Sequence, residues 1–150
     1  DWFYGLTIVK QVWEEGGSAP LGNPTAPVGA TLVFLIYVKN INASAMTDLR
    51  INDDLDESGF EYVPGSLIRT DAGTPPADTA TDKQIFDATA SGTGTDLLDP
   101  VDADVASAQD TVGPVTVDKV TIGAVVGQAN AALSIDPHET FALRFEVKVK

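Results

Sequence analysis

The chain has 150 residues, no cysteine and a formal net charge of -13, with 9 Lys and Arg against 22 Asp and Glu. This length predicts one domain of ordinary size. The charge makes nucleic acid and anionic lipid unfavourable partners, because binding phosphate requires basic residues. The lack of Cys excludes disulfides and thiolate metal sites. No apolar run is long enough to cross a bilayer, so membrane insertion is not expected.

Strand patterns dominate the chain from its start. Residues 2–13, WFYGLTIVKQVW, have an extended pattern that is apolar on both faces, with a single charge at Lys10. A second strand is predicted at 31–39, TLVFLIYVK, where β-branched and aromatic residues follow a turn. Shorter strands bounded by Gly, Pro or Asp are predicted in a further set of segments, namely 48–52, 60–63, 66–69 and 115–126.

The C-terminal segment 141–150, FALRFEVKVK, alternates between two faces. The face expected to be buried carries Phe141, Leu143, Phe145, Val147 and Val149. The face expected to be wet carries Ala142, Arg144, Glu146, Lys148 and Lys150. Many short strands separated by turns predict an all-β antiparallel sandwich of about seven to nine strands with negligible helix.

Residues 71–113 differ from the rest, since they are rich in Thr, Ala, Asp, Gly and Ser. We predict that they form a long loop excursion on the surface of the single domain 1–150. One strand is expected near 83–87, and at most a short helix at 101–109.

Four motifs occur in a fixed order: LTIVK (6–10), APVGATLVFLIYVKN (26–40), LRINDDLDESGFEYVPGS (49–66) and ALSIDPHETFALRFEVKV (132–149). In order and spacing they resemble the Ig-like repeat of bacterial and archaeal surface proteins known as the domain-of-unknown-function-eleven family. The resemblance spans nearly the whole chain apart from the excursion. It implies an Ig-like sandwich, extracellular placement at the cell surface, and a structural or adhesive role. It implies no chemistry, because a fold alone does not fix a function.

The resemblance also assigns the two faces of the 31–39 strand. Its inward positions hold Phe34, Ile36 and Val38. Its outward positions, usually Thr-like in the family, hold Val33, Leu35 and Tyr37. An apolar outer face lowers solubility unless something covers it. We therefore predict an interface with further copies of the chain. The aromatic residues of the N-terminal extension 1–5 either fill the core at the edge of the domain or anchor the chain to a neighbouring copy, and we favour the anchor. The predicted interface residues are Trp2, Phe3, Tyr4, Val33, Leu35 and Tyr37.

Two acidic clusters are candidates for Ca²⁺, which takes six to eight oxygen ligands. The first is Asp53, Asp54, Asp56 and Glu57, and the second is Asp96, Asp99, Asp102 and Asp104. Neither has the spacing of an EF-hand loop. Two interpretations stay open: these acids bind calcium, or they keep exposed turns solvated.

No catalytic residue is predicted. His138 is the only histidine; it occupies a turn where the family pattern has Gly, and nothing in the sequence places a Ser beside it. The tripeptide Asn42-Ala43-Ser44 is a glycosylation sequon, which makes Asn42 a candidate modification site.

Two functions from different classes fit these features. The first is a non-enzymatic secreted subunit that assembles into a cell-surface filament or layer, with its N-terminal segment exchanged into the sheet of the next copy. The alternative is a monomeric adhesive or calcium-stiffened spacer module of a larger surface protein.

Overall fold

The computed structural model describes residues 5–22, 25–110, 117–124 and 129–150. Within these ranges the chain forms eleven strands and one helix. In chain order they are β1 Leu6–Glu14, β2 Thr31–Asn40, β3 Met46–Leu49, β4 Ile51–Asp54, β5 Phe60–Tyr62, β6 Ile68–Arg69, α1 Asp82–Ala88, β7 Thr95–Asp96, β8 Ala106–Gln109, β9 Lys119–Ile122, β10 Leu133–Ile135 and β11 Thr140–Val149.

The strands form two antiparallel layers. The main sheet has the order β1-β2-β11-β6-β7, with β5 pairing with the end of β11. The second layer consists of the pair β10-β3 and the three-stranded sheet β4-β9-β8. The predicted all-β antiparallel sandwich is confirmed, and it is consistent with an Ig-like architecture. The strand number exceeds the prediction because several strands are very short and because Arg50 separates β3 from β4.

The core lies between the two layers. The two longest strands, β2 and β11, each turn alternate side chains towards it. The predicted core residues are all buried there: Phe34, Ile36, Val38, Leu143, Phe145 and Val147. The second layer contributes Ile122, Val120, Leu133 and Ile135 from the opposite side.

The outer face of the main sheet corrects two predictions. The strand expected near 83–87 is wrong, because this segment forms the helix α1. The face of β11 expected to be wet is also partly wrong, since Ala142 is fully buried and Arg144 is 8% exposed. The segment is helical because Thr81 and Gln84 form a capping box at its start. The outer face is dry because Ile85 and Phe86 of α1 pack against it.

Two further segments differ from expectation. The short helix that the sequence allowed at most at 101–109 does not form, because Ala106–Gln109 forms strand β8 and pairs with β9. The strand predicted at 115–126 is confirmed for Lys119–Ile122, while 115–116 and 125–126 lie outside the described residues. Nowhere in the described ranges is there a helix with the length and apolar character needed to span a membrane.

The first testable prediction concerns Phe145, which is fully buried between the layers. Its ring packs edge-on against Phe34, with centroids 5.5 Å apart. We expect Phe145→Ala to lower the free energy of unfolding by about 3–5 kcal/mol, because it leaves a cavity in the core. Denaturant unfolding measures the loss. The control is exposed Lys148→Ala, expected within about 0.5 kcal/mol of the parent; equal losses in both variants would contradict the core assignment.

Candidate functional site

Strand β1 is the first of the described strands and lies at one edge of the main sheet. It pairs with β2 along its whole length in an unbroken antiparallel register. Its inner face packs Leu6 and Val12 against the core. Its outer face packs Val9 and Trp13 with the cluster beneath α1. Trp13 and the partly buried Leu6, Val9 and Val12 are therefore covered within one chain, whereas Ile8 stays 56% exposed.

Trp13 attaches β1 to the outer face. It is fully buried, and its ring stacks on Phe86 of α1 with centroids 4.2 Å apart and planes 10° apart. The indole Nε1 donates a hydrogen bond to Oε1 of Gln11 at 3.1 Å, which satisfies the polar edge of the ring. The guanidinium carbon of Arg144 lies 4.9 Å from the centre of the Phe86 ring, and burial lowers the pKa of Arg144. Trp13 is thus held by elements distant in sequence.

The outward residues of β2 are not exposed. Their assignment to a subunit interface rests on the expectation that the outer face is uncovered, and that expectation is wrong. Val33 and Leu35 have no exposed surface, and Tyr37 is 6% exposed. The Tyr37 hydroxyl donates a hydrogen bond to Oδ1 of Asp82 at 2.8 Å. Burial and this carboxylate together raise the pKa of Tyr37 to about 12. Because α1 covers all three side chains, a second copy has no access to them in this fold.

Lys10 links β1 to the second layer. Its Nζ lies 2.6 Å from Oδ1 of Asp53 on β4, and the two side chains are 41% and 14% exposed. The same Nζ lies 5.0 Å from the centre of the Phe34 ring. The other carboxylate oxygen of Asp53, Oδ2, is buried without a hydrogen-bond partner among the described residues. Removing Lys10 would therefore leave a poorly solvated carboxylate.

The outer edge of β1 is open for most of its length. The Val12 carbonyl accepts a hydrogen bond from the N–H of Leu21 at 2.7 Å, so it points away from β2. By alternation, the backbone groups of Leu6, Ile8 and Lys10 point the same way. In the part of the chain that the structure describes, no strand pairs with this edge, and Ile8 is 56% exposed. The charge of Lys10 and the bond from Leu21 blunt the edge.

The connection between β1 and β2 is residues 15–30, EGGSAPLGNPTAPVGA, with four Gly and three Pro. Adjacent antiparallel strands are usually joined by about 2–5 residues. Fully extended at about 3.3 Å per residue, these sixteen would span roughly 50 Å. A connection of this length does not oblige β1 to pair with the β2 of its own chain.

The predicted interface residues Trp2, Phe3 and Tyr4 lie outside the described residues. Their assignment stays a prediction.

Asp53 and Asp54 point to opposite faces of β4, as neighbours on a strand do. Asp53 faces inward to Lys10, whereas Asp54 is 84% exposed and lies 3.6 Å from Nζ of Lys119. Each carboxylate therefore has a lysine of its own.

Asp56 and Glu57 lie in the turn after β4. Oδ1 of Asp56 accepts hydrogen bonds from the hydroxyl of Ser58 at 2.6 Å and from its N–H at 3.0 Å. These bonds lower the pKa of Asp56. The Glu57 carbonyl accepts a hydrogen bond from Nζ of Lys150 at 2.6 Å, so both residues help to fix the turn and the C-terminus.

Asp99 is the most strongly bound acid of the second cluster. Its Oδ1 accepts a hydrogen bond from the Tyr62 hydroxyl at 2.6 Å, and its Oδ2 accepts one from the N–H of Gly65 at 2.7 Å. Burial, assisted by Asp99, raises the pKa of Tyr62. Asp99 thus fastens the YVPGS turn to the excursion.

The other acids of this cluster serve local turns. Asp102 accepts a hydrogen bond from the N–H of Asp104 at 2.7 Å, Asp104 accepts one from the N–H of Leu98 at 3.1 Å, and Asp96 is exposed on β7. Among the described residues, no group of three or more His, Cys, Asp or Glu is arranged to hold a metal ion. The structure does not gather either predicted cluster into a site, and calcium binding stays a prediction.

Asn42 and His138 occupy turns. The Asn42 side chain packs closely on Gly5, where an added Cβ would lie 2.3 Å from its Oδ1; its glycosylation stays a prediction. His138 has a φ of 61°, the left-handed conformation that Gly adopts more readily than other residues. Its ring is hydrogen-bonded to Asp78 through Nδ1 at 2.9 Å and its side chain is 61% exposed. This pair ties the excursion to the turn before β11.

Helix α1 is the functional element that sequence analysis missed. Its signal was present: Thr81 and Gln84 form a capping box, immediately followed by the buried pair Ile85 and Phe86, which is a recognised helix start. The helix has too few turns to show a period.

Comparisons of the chain with protein-family models, with curated proteins and with solved structures found no match. The family resemblance therefore stays a prediction, and the candidate site is defined by geometry alone. It is the groove that holds β1, formed by the edge of β2 with Phe86 on the outer face and Asp53 on the inner face. We call it the β1 groove.

The second testable prediction separates a structural Asp99 from a calcium ligand. We expect Asp99→Asn to lower the free energy of unfolding by about 1.5–3 kcal/mol without added metal, because it weakens two charge-assisted hydrogen bonds. The matched control is Asp96→Asn on exposed β7, expected to change it by less than about 0.5 kcal/mol. Thermal unfolding with millimolar calcium or chelator completes the test. A calcium-dependent rise in Tm that Asp99→Asn abolishes would assign the acids to metal binding.

Proposed function

We propose that this protein is a non-enzymatic structural subunit of a cell-surface filament or layer, in which each copy donates β1 to the β1 groove of the next. The observation that carries the proposal is the connection of β1. An edge strand, anchored on both faces by elements distant in sequence, is joined to its antiparallel neighbour by sixteen residues rather than a hairpin turn. Such a strand can be supplied by its own chain or by another copy.

Exchange requires no new interface. A donated β1 would make the same ladder with β2, the same stack on Phe86 and the same ion pair with Asp53 that it makes in its own chain, so these contributions nearly cancel. Exchange also requires the connection to open, which gives up the hydrogen bond of Leu21 to Val12 and the packing of Leu21 and Ala26 on the core. What remains is a competition with the tethered strand, whose effective concentration is of millimolar order for a short flexible linker. A high local concentration of copies at a surface favours exchange of β1 between chains. Because donor strand and acceptor groove are different surfaces, repeated exchange in one direction gives an open fibre rather than a closed dimer.

The resemblance to surface-protein repeats supports extracellular placement and a structural role. The alternative, a monomeric adhesive or calcium-stiffened spacer, predicts that β1 never leaves its own chain.

The third testable prediction traps exchange covalently. Thr7 is exposed and lies directly opposite Lys39. Directly opposed residues have Cα atoms about 4.5–5.5 Å apart, within reach of a disulfide, and the chain has no other cysteine. We expect oxidised assemblies of Thr7→Cys/Lys39→Cys to give a ladder of covalent multimers on denaturing, non-reducing gels, because each disulfide joins two copies.

The control is Thr7→Cys alone, which is limited to covalent dimers. A double variant that runs purely as internally cross-linked monomers, while the preparation still sediments as assemblies, would rule out exchange of β1. Monomers in both measurements at every concentration would favour the spacer alternative.

The fourth testable prediction concerns the aromatic extension. If Trp2, Phe3 and Tyr4 add contacts in the next copy, deletion of residues 1–5 should leave a folded protein that is monomeric or forms short oligomers, since buried aromatics dominate interface energetics. Sedimentation measures assembly length, with Lys148→Ala as the full-length control. Undiminished assemblies from the truncated chain would show that these residues are not required between subunits.

A further inference from the structure

The β1 groove contacts side chains on both faces of strand β1. On the outer face, Trp13 is enclosed by Phe86 and the buried residues of β2. On the inner face, Lys10 reaches Asp53, whose second oxygen is buried without a partner in the described residues. The two contacts involve different layers of the sandwich and different chemistry, one aromatic and one ionic.

Together these contacts fix one register. A slip of one residue would exchange the faces and send Trp13 towards the core side. A slip of two would keep the faces but replace Trp13 by Gln11 or Glu15 at Phe86. The same slip would leave Asp53 opposite Ile8 or Val12, which cannot compensate a carboxylate. An extended peptide that has only alternating apolar residues would therefore lack the contacts with Phe86 and Asp53.

We propose that the β1 groove is a sequence-selective receptor, that Trp13 and Lys10 of the incoming strand are its two specificity determinants, and that the partner it fits is β1 of a second copy. This inference rests on the proposed exchange of β1. The charge complementarity of Lys10 and Asp53 in an acidic chain, and the full burial of Trp13, identify the occupant as this strand rather than another extended segment.

The experiment mixes two full-length chains, a donor with Thr7→Cys and an acceptor with Lys39→Cys, refolded together from denaturant and oxidised. The heterodimer linked through Cys at 7 and 39 is quantified by mass spectrometry of its linked peptides. Trp13→Ala in the donor is expected to lower its yield roughly 100-fold or more. The same substitution in the acceptor is expected to raise the yield, because the acceptor's own strand then competes less well. Ile8→Ala in the donor, at an exposed position of the same strand, should stay within about twofold.

The ionic contact has a rescue test. Lys10→Asp in the donor is expected to lower the yield roughly tenfold or more, and Asp53→Lys in the acceptor to restore it, since the new pair has the opposite polarity. Equal yields from the parent, Trp13→Ala and Lys10→Asp donors would contradict the sequence selectivity of the groove, but not the exchange of β1 between copies. A heterodimer absent with every donor would overturn both.

Discussion

Strand β2 is apolar on both faces, and the rest of the architecture depends on this constraint. Seven consecutive residues from Leu32 to Val38 are buried, whereas an antiparallel strand in a two-layer sandwich normally has one wet face. One face is covered by the second layer and the other by α1. The excursion 71–113 therefore has a structural role. Its helix α1 supplies a third, partial layer, without which Val33 and Leu35 would contact water. The pair His138–Asp78 and the bond of Tyr37 to Asp82 hold that layer in place.

The main elements of the fold could be predicted because they have a strong local signal. Alternation along β11 and the apolar run of β2 identify the central strands and the buried core residues such as Phe34 and Phe145. Helix α1 could not be found by periodicity, since seven residues make only two turns. The strand β8, with the sequence ASAQ, was missed because its small residues have little intrinsic preference for a strand; pairing with β9 decides its conformation.

The site could be predicted less well than the fold. Sequence identified an apolar outer face and inferred a missing cover, but it could not show that the same chain provides that cover at Phe86. Clusters of acids likewise reveal the number of carboxylates and not their directions. Strand alternation separates Asp53 from Asp54, and local turns engage Asp56 and Asp104. Backbone donors a few residues away can satisfy a carboxylate, because the turn itself brings them within reach.

In the exchange that we propose, the two faces of β1 allow one strand both to stabilise a fold and to be supplied by either copy. A strand held by its immediate neighbours in sequence, as in a tight hairpin, cannot be shared, since the turn dictates its partner. Here the contacts of Trp13 and Lys10 are with α1 and β4, and the turn is replaced by a long Gly- and Pro-rich connection. In the proposed exchange, the side chains of β1, rather than the connection to β2, determine which groove the strand occupies. Under the proposed exchange, the contacts that fix the register of β1 are the same whichever copy supplies the strand.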